Sequence, residues 1–298
     1  MSAAVKPAQK LKSLISEGKN LILVGASSPI EVLMMQAMGY ETAYLSGAAL
    51  SLDKGILDEG LLSLKEIATC TKEITRVAGI PLIVDCDTGL RSKRKAPKND
   101  LEELDSIRKM TLVLERAGAA AIQIEDQVAF KKRCGHLPGK EIVSVNDMFW
   151  KIRIASFARK KMLIIARTDA RSPEGLDAAI WRVHRYINAG ADIIFPEALE
   201  SLEEFRKFRR EVPDIPLMAN LTTHGKTPET INAKDLFKIG YQIVLFPVPL
   251  RILLKKYEEI LKEIKWLGSM RGFVVEGDIL SRDELNEFIK KHSKVYKK

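Results

Sequence analysis

The sequence predicts an α/β fold, a (β/α)8 barrel (the TIM-barrel class) with a C-terminal helical appendage. Three observations carry the prediction. Eight short apolar runs recur along the chain, helix-period segments separate them, and six of the runs end in polar or charged residues. Strands joined through helices lie parallel, with right-handed crossovers. A parallel strand is buried on both faces, which accounts for runs without a polar face such as Leu21-Ile22-Leu23-Val24 and Leu163-Ile164-Ile165-Ala166. The others are Thr42-Ala43-Tyr44-Leu45, Leu82-Ile83-Val84, Ala121-Ile122-Gln123-Ile124, Ile193-Ile194-Phe195, Leu217-Met218-Ala219 and Ile243-Val244-Leu245-Phe246. Eight such units suit a closed barrel better than an open sheet. Between them, residues such as Leu101, Leu104, Ile107 and Val113 keep a helical period. Gly39, Gly79, Gly118, Gly190 and Gly240 each stand just before a strand, where a left-handed C-cap ends a helix. After Leu250 the alternation stops. Two helical stretches, about 251–266 and 281–292, form the appendage, so the expected organisation is one domain over 1–298 with 251–298 as its extension.

With 46% apolar and 29% charged residues, the 298-residue chain has the composition of a soluble globular protein. The net charge of +9 is spread along the chain without a recognisable nucleic-acid motif. Denser basic patches, Arg91–Lys95 and the tail from Lys290 to Lys298, read as solvated faces. Such a field excludes no small anion and attracts an acidic substrate. Cys70, Cys86 and Cys134 show neither paired spacing nor a zinc pattern, which suits a reducing cytoplasm. Met1–Lys12 lacks the apolar core of a signal peptide, and Pro247, Pro249 and Arg251 interrupt the run after Ile243. The expectation is a cytoplasmic protein with no membrane and no nucleic-acid partner.

The strand ends carry, in order, Ser46-Gly47, Asp85 and Asp87, Glu125-Asp126, Arg167 and Asp169, Glu197, and Asn220. In a barrel these converge on the C-terminal mouth, where active sites lie. Asp85 and Asp87 are two apart and share a strand face; with Glu125 they offer oxygen ligands to Mg²⁺ or Mn²⁺. The structural alternative is Asp87 capping the next helix. Cys86, between them, points into the core. Arg167 ends an apolar strand, where a guanidinium binds a carboxylate or stabilises an oxyanion, pairs with Glu197, or does both. Ser46-Gly47-Ala48 offers a hydroxyl and N–H groups to a small carboxylate, and Asn220-Leu221-Thr222 adds neutral hydrogen bonds. Tyr44 and Asp58 are both candidates for acid or base, and spacing does not choose between them. Lys132-Arg133-Cys134-Gly135-His136 surrounds a thiol with basic side chains, which favours the thiolate and lets it exchange a proton with carbon. The bland alternative is a surface basic cluster beside an incidental cysteine. Together these groups suit a 2-hydroxy or 2-oxo polycarboxylate cleaved in a retro-aldol or retro-Claisen manner.

The segments Tyr44-Leu45-Ser46-Gly47, Val84-Asp85-Cys86-Asp87-Thr88-Gly89, Ile124-Glu125-Asp126-Gln127, Lys132-Arg133-Cys134-Gly135-His136, Ala166-Arg167-Thr168-Asp169-Ala170, Phe195-Pro196-Glu197-Ala198 and Ala219-Asn220-Leu221-Thr222 run in order along the chain. In these the chain resembles the isocitrate lyase and phosphoenolpyruvate mutase superfamily, and within it the short 2-methylisocitrate lyases. The resemblance implies cleavage of 2-methylisocitrate to pyruvate and succinate, the last step of the methylcitrate cycle of propionate catabolism. It implies Mg²⁺ held directly by Asp85, with Asp87 and Glu125 acting through water. Ser46, Gly47 and Arg167 would hold the pyruvate half, and Cys134 would protonate the succinate carbanion. Lys132, Arg133, Gly135, His136, Glu197, Asn220 and Thr222 would line the rest, with Gly135 and Gly139 letting the cysteine loop close. A homotetramer that swaps a C-terminal helix is implied as well.

Three segments depart from the family pattern: the basic insertion from Leu90-Arg91 through Asn99, Thr223-His224 after the Asn-Leu-Thr, and a shortened Phe246–Arg251. They bear on which acid is taken. Related lyases acting on isocitrate, 2,3-dimethylmalate or oxaloacetate are the alternatives; a phosphonopyruvate mutase or hydrolase is disfavoured by the cysteine motif, and a nucleic-acid-binding barrel by the set of strand-end acids.

Overall fold

The parallel strands expected from the apolar runs are present, each within two residues of its run. The computed structural model describes residues 6–90, 100–133, 139–276 and 279–297. Its strands are β1 (Leu21–Ala26), β2 (Ala43–Leu45), β3 (Leu82–Asp85), β4 (Ala121–Glu125), β5 (Leu163–Thr168), β6 (Ile193–Pro196), β7 (Met218–Asn220) and β8 (Ile243–Phe246). They pair in the order β6-β5-β4-β3-β2-β1-β8-β7, every pair parallel. Closure comes between β6 and β7, where the Ile194 N–H donates to the Pro216 carbonyl at 3.0 Å and Ile194 bridges to Leu217. The result is a closed ring with helices outside it.

Strand periodicity sorts the side chains. Leu21, Leu23, Tyr44, Ile83, Ala121, Leu163, Ile165, Ile193, Phe195, Met218, Ile243 and Leu245 form one buried cluster inside the ring. Leu11 and Leu14 of the helix Pro7–Ser16 join it and plug the N-terminal end. Residues two apart share a face. Stepping by two from the inner set therefore reaches Ser46, Asp85, Gln123, Glu125, Arg167, Glu197 and Asn220, all inward. The alternate residues, among them Leu45, Val84, Cys86, Ile122, Ile124, Ile164, Ala166, Ile194 and Val244, pack against the helices in a second cluster. Cys86 is thus core, as its position between two inward aspartates requires.

Of the five predicted capping glycines, Gly39, Gly118, Gly190 and Gly240 have positive φ. Gly79 does not. The helix Leu64–Val77 ends at Ala78 in an extended conformation, and the Gly79 N–H instead donates to Gln36 Oε1 at 2.5 Å. Gly25 has a different reason for being glycine: a Cβ there would lie 1.8 Å from the Pro247 carbonyl oxygen, so β1 and the segment after β8 touch backbone to backbone.

Beyond β8 the chain forms the helices Leu250–Leu267, Arg271–Glu276 and Arg282–His292. No residue of Leu250–Leu267 is buried, although it carries Ile252, Leu253, Leu254, Tyr257, Leu261 and Ile264. The chain then returns to the barrel, where the Gln36 amide donates to the His292 carbonyl at 2.8 Å and Lys294 Nζ to the Thr75 carbonyl at 2.6 Å. Among the described residues, no helix is long and apolar enough to cross a membrane.

Candidate active site

A cavity of about 340 Å³ opens at the C-terminal mouth of the barrel. Tyr44, Ser46, Asp58, Asp85, Asp87, Glu125, Lys132, Arg133, Arg167, Glu197, Asn220 and Thr222 all line it. Sequence reasoning also named Cys134, Gly135 and His136, which lie outside the described residues, as does the 91–99 insertion.

The acids cluster at the ends of β3 and β4. Asp85 Oδ1 accepts the Asp87 N–H at 3.1 Å and Gln123 Nε2 at 3.3 Å, while Oδ2 accepts the Gly47 N–H at 3.3 Å. The Gly47 N–H, expected to face a small carboxylate, here meets the Asp85 carboxylate. Ser46 likewise caps the helix Gly47–Asp53, its Oγ accepting the Ala49 N–H at 3.2 Å. Asp87 does not cap a following helix; it sits at φ +46° and faces Lys132. Non-glycine residues held at positive φ store strain and mark sites where the chain is over-determined. Burial, then the neighbouring Asp87, raises the Asp85 pKa to about 6. Burial also pushes Glu125 up, against the pull of Arg167.

Lys132 turns inward. Its ammonium pairs with Asp58 and, at 2.7 Å, with Asp87 Oδ1, and its side chain is only 5% exposed. Burial works against this charge, but Asp87, Asp58, Glu125 and Asp85 outweigh it and hold the pKa well above the ordinary lysine value. Its charge is therefore engaged by the acids of the mouth. Arg133 is exposed. Its backbone is fixed by Gln127, a buried residue quoted in the Ile124–Gln127 motif without a role: Oε1 accepts the Arg133 N–H at 2.9 Å and Nε2 donates to its carbonyl at 3.0 Å. Further pairings, Val128 N–H to the Glu141 carbonyl and Val143 N–H to the Asp126 carbonyl, both 2.8 Å, hold the two sides of this excursion together.

Arg167 occupies the centre of the opposite wall. It donates to Asp169 through Nε at 2.9 Å and Nη2 at 3.1 Å, and lies 3.3 Å from Glu197 and 3.4 Å from Glu125. Burial opposes its charge, yet Asp169, Glu197 and Glu125 more than offset that and keep it firmly protonated. Asn220 Nδ2 reaches both oxygens of Glu197 at 3.3 Å. Behind Arg167 stands Lys140, bonded to Asp169 at 2.7 Å with neither side chain exposed. It too went unpredicted. Removing one member of a buried pair leaves the other charge uncompensated. Lys140→Met is accordingly expected to destabilise the fold by about 3 kcal/mol, the low end for such pairs because Arg167 still holds Asp169. An unchanged unfolding midpoint in urea would contradict the argument.

Asp126 is not part of the mouth. It faces outward, where its oxygens accept the Asp169 N–H at 2.8 Å, Thr168 Oγ1 at 2.7 Å and the Tyr186 hydroxyl at 2.9 Å. It ties β4 to β5 and to the helix Leu176–Ala189.

Among the described residues of the mouth and the wall behind it, the carboxyl groups of Asp58, Asp85, Asp87, Glu125, Asp169 and Glu197 thus meet three buried cations, Lys132, Lys140 and Arg167. The negative excess is one a divalent cation relieves. Asp85 Oδ2 and Asp87 Oδ1 lie 3.2 and 3.4 Å from the point where a Cβ on Gly47 would stand, so both address one small space that glycine keeps clear. Glu125 Oε1 is buried without a hydrogen-bond partner. Among the described residues no three His, Cys, Asp or Glu side chains close into a metal shell. Hard oxygen donors with few direct protein ligands fit Mg²⁺, which keeps several waters.

The phosphoenolpyruvate phosphomutase family profile matches residues 11–265. A 2-methylisocitrate lyase of Aeropyrum pernix is 44% identical over 96% of this chain and 88% of that protein. One of Bacillus subtilis is 39% identical over 95% and 89%. Among solved structures, a 2,3-dimethylmalate lyase of the PEP mutase/isocitrate lyase superfamily superposes with a TM-score of 0.84 at 26% identity, covering 96% of this chain and 92% of that one. With its barrel, its mouth of strand-end acids around Arg167 and these matches along nearly its whole length, the chain belongs to the phosphoenolpyruvate phosphomutase family, within the isocitrate lyase and PEP mutase superfamily.

Proposed function

We propose that the protein is a Mg²⁺-dependent carbon–carbon lyase that cleaves 2-methylisocitrate to pyruvate and succinate, closing the methylcitrate cycle of propionate catabolism. The observation that carries this reading is the facing of Asp85, Asp87 and Glu125 with Arg167 across one cavity. The similarity to 2-methylisocitrate lyases over nearly the full chain supports it.

In the reaction the bond between the hydroxyl-bearing carbon and its carboxylate-bearing neighbour breaks. The hydroxyl gives up its proton to a base and becomes the keto group of pyruvate. The electron pair stays on the neighbouring carbon, delocalised into its carboxylate, until that carbon takes a proton from the Cys134 thiol and becomes succinate. One proton leaves oxygen and one reaches carbon, so no water is consumed. Arg167 binds the carboxylate of the pyruvate half with a charge that burial keeps unscreened. Ser46 supplies its remaining O–H. Asn220 and Thr222 donate to the succinate half, with Arg133 and His136 at its charged end. Asp58 and Tyr44, which both line the cavity, are the candidates to serve the departing proton. Asp85 directly, with Asp87 and Glu125 through water, would hold Mg²⁺, which would supply Lewis-acid polarisation of the oxygen that becomes a carbonyl.

The structural likeness to a 2,3-dimethylmalate lyase makes that acid the second substrate to test. The exposed apolar side of Leu250–Leu267 supports a homotetramer in which this helix is exchanged between copies. We read the chain as a single barrel domain with 251–298 as its extension, working in the cytoplasm.

Pyruvate release from 2-methylisocitrate is expected with Mg²⁺, to vanish with EDTA and to return on adding Mg²⁺ or Mn²⁺. Undiminished turnover in EDTA would refute the metal assignment.

A further inference from the structure

β4 reads Ala-Ile-Gln-Ile-Glu, and its middle residue points into the barrel one step below Glu125. Gln123 is fully buried, surrounded by the apolar inner cluster of Tyr44, Ile83, Ile165 and Phe195. A buried amide persists only where both of its ends find partners. Here they do: Nε2 donates to Asp85 Oδ1 at 3.3 Å, and Oε1 accepts the hydroxyl of Tyr44.

The chemistry of the partners fixes which way the amide faces. A carboxylate only accepts, so the NH₂ must address Asp85, and the carbonyl, which cannot donate, is left to Tyr44. The Tyr44 proton is thereby directed at Gln123 Oε1, with the Asp85 carboxylate beside it as a second acceptor. What its oxygen presents to the cavity it lines is lone pairs. On the other side, Asp85 Oδ1 is occupied by Gln123 and by the Asp87 N–H at 3.1 Å, while Oδ2, which accepts the Gly47 N–H at 3.3 Å, is turned to the space over Gly47 that Asp87 shares.

We infer that Gln123 is a positioning residue for this site, making Tyr44 an acceptor for the substrate hydroxyl and orienting Asp85 toward the cation. The Tyr44 part rests on the lyase reading; the Asp85 part does not.

Two variants and a cycle test it. Gln123→Leu removes both polar ends at similar size, and Gln123→His restores one donor and one acceptor. Mn²⁺ binding is measured by calorimetry without substrate, then kcat and KM at saturating metal, alone and with Tyr44→Phe. Gln123→Leu is expected to weaken Mn²⁺ by roughly 10–100-fold, as loss of a residue supporting a metal ligand does. Its loss in kcat should disappear in the Tyr44→Phe background, since residues acting through one contact are not additive. Gln123→His should recover most of both. A folded Gln123→Leu protein with unaltered Mn²⁺ affinity overturns the Asp85 part, and full additivity with Tyr44→Phe overturns the Tyr44 part. Should the leucine variant not fold, a folded Gln123→His protein that binds Mn²⁺ more than tenfold more weakly overturns the proposal. Should the wild type turn over no polycarboxylate while Gln123→Leu still weakens Mn²⁺ binding, the lyase reading falls and the Asp85 part stands.

Discussion

Arg167→Lys is expected to lower kcat/KM by about 10²-fold, the loss typical when the bidentate clamp that positions the reacting half of a substrate is misplaced. The guanidinium meets Asp169 with two nitrogens, at 2.9 and 3.1 Å, and still reaches Glu197 and Glu125 at 3.3 and 3.4 Å. A lysine keeps the charge, but its single ammonium cannot reproduce that planar fork. Charge retention is what makes the variant informative. Arg167→Met would strand the buried carboxylates of Glu125 and Glu197 and leave Asp169 to Lys140 alone, and breaking such pairs costs about 3–5 kcal/mol, enough to confuse lost activity with lost fold. Steady-state kinetics together with thermal unfolding separate the two. Wild-type kcat/KM in a folded Arg167→Lys enzyme would reduce Arg167 to a structural role.

Cys134→Ser is expected to lower turnover by about 10²–10⁴-fold, the usual contribution of a positioned acid or base, while leaving unfolding and Mg²⁺ binding as in the wild type. A serine hydroxyl is a far weaker acid than a thiol and gives its proton to a carbanion much less readily. The change swaps one sulfur for an oxygen at nearly constant size, so unfolding and Mg²⁺ binding serve as the controls that separate binding from chemistry in this variant. Turnover within a factor of a few of wild type would remove Cys134 from the proton-donor role.

Much of the fold was legible because both faces of each strand are buried, so the runs stand out without any need to find an alternation. The residue-by-two rule then carries the reading from the apolar interior to the mouth: Ile83 leads to Asp85, Ile165 to Arg167, Phe195 to Glu197. Applied strictly, it also separates Glu125, which faces in, from Asp126, which faces out to Tyr186; adjacency in sequence hid that difference. It would have flagged Gln123 as well, a polar residue on an inward position, which an apolar-run reading absorbs into its strand. Lys140 and Gln127 left no such signal. Their partners, Asp169 and the Arg133 backbone, are met only after a loop folds back, and no local pattern encodes that return. Gly79 shows the opposite failure: its place before β3 matched a capping glycine, yet Ala78 ends the helix in an extended conformation and Gly79 serves Gln36. The Ser46-Gly47 turn was rightly placed at the mouth, where its N–H donor meets the Asp85 carboxylate.

Cleavage of a carbon–carbon bond in 2-methylisocitrate at this mouth is tested by product analysis of 2-methylisocitrate incubated with the Mg²⁺-loaded protein, beside isocitrate, 2,3-dimethylmalate and oxaloacetate. Pyruvate and succinate are expected in equal amounts, with kcat/KM for 2-methylisocitrate clearly above that for the other three. No cleavage of 2-methylisocitrate, with efficient turnover of one of the others, would contradict that expectation.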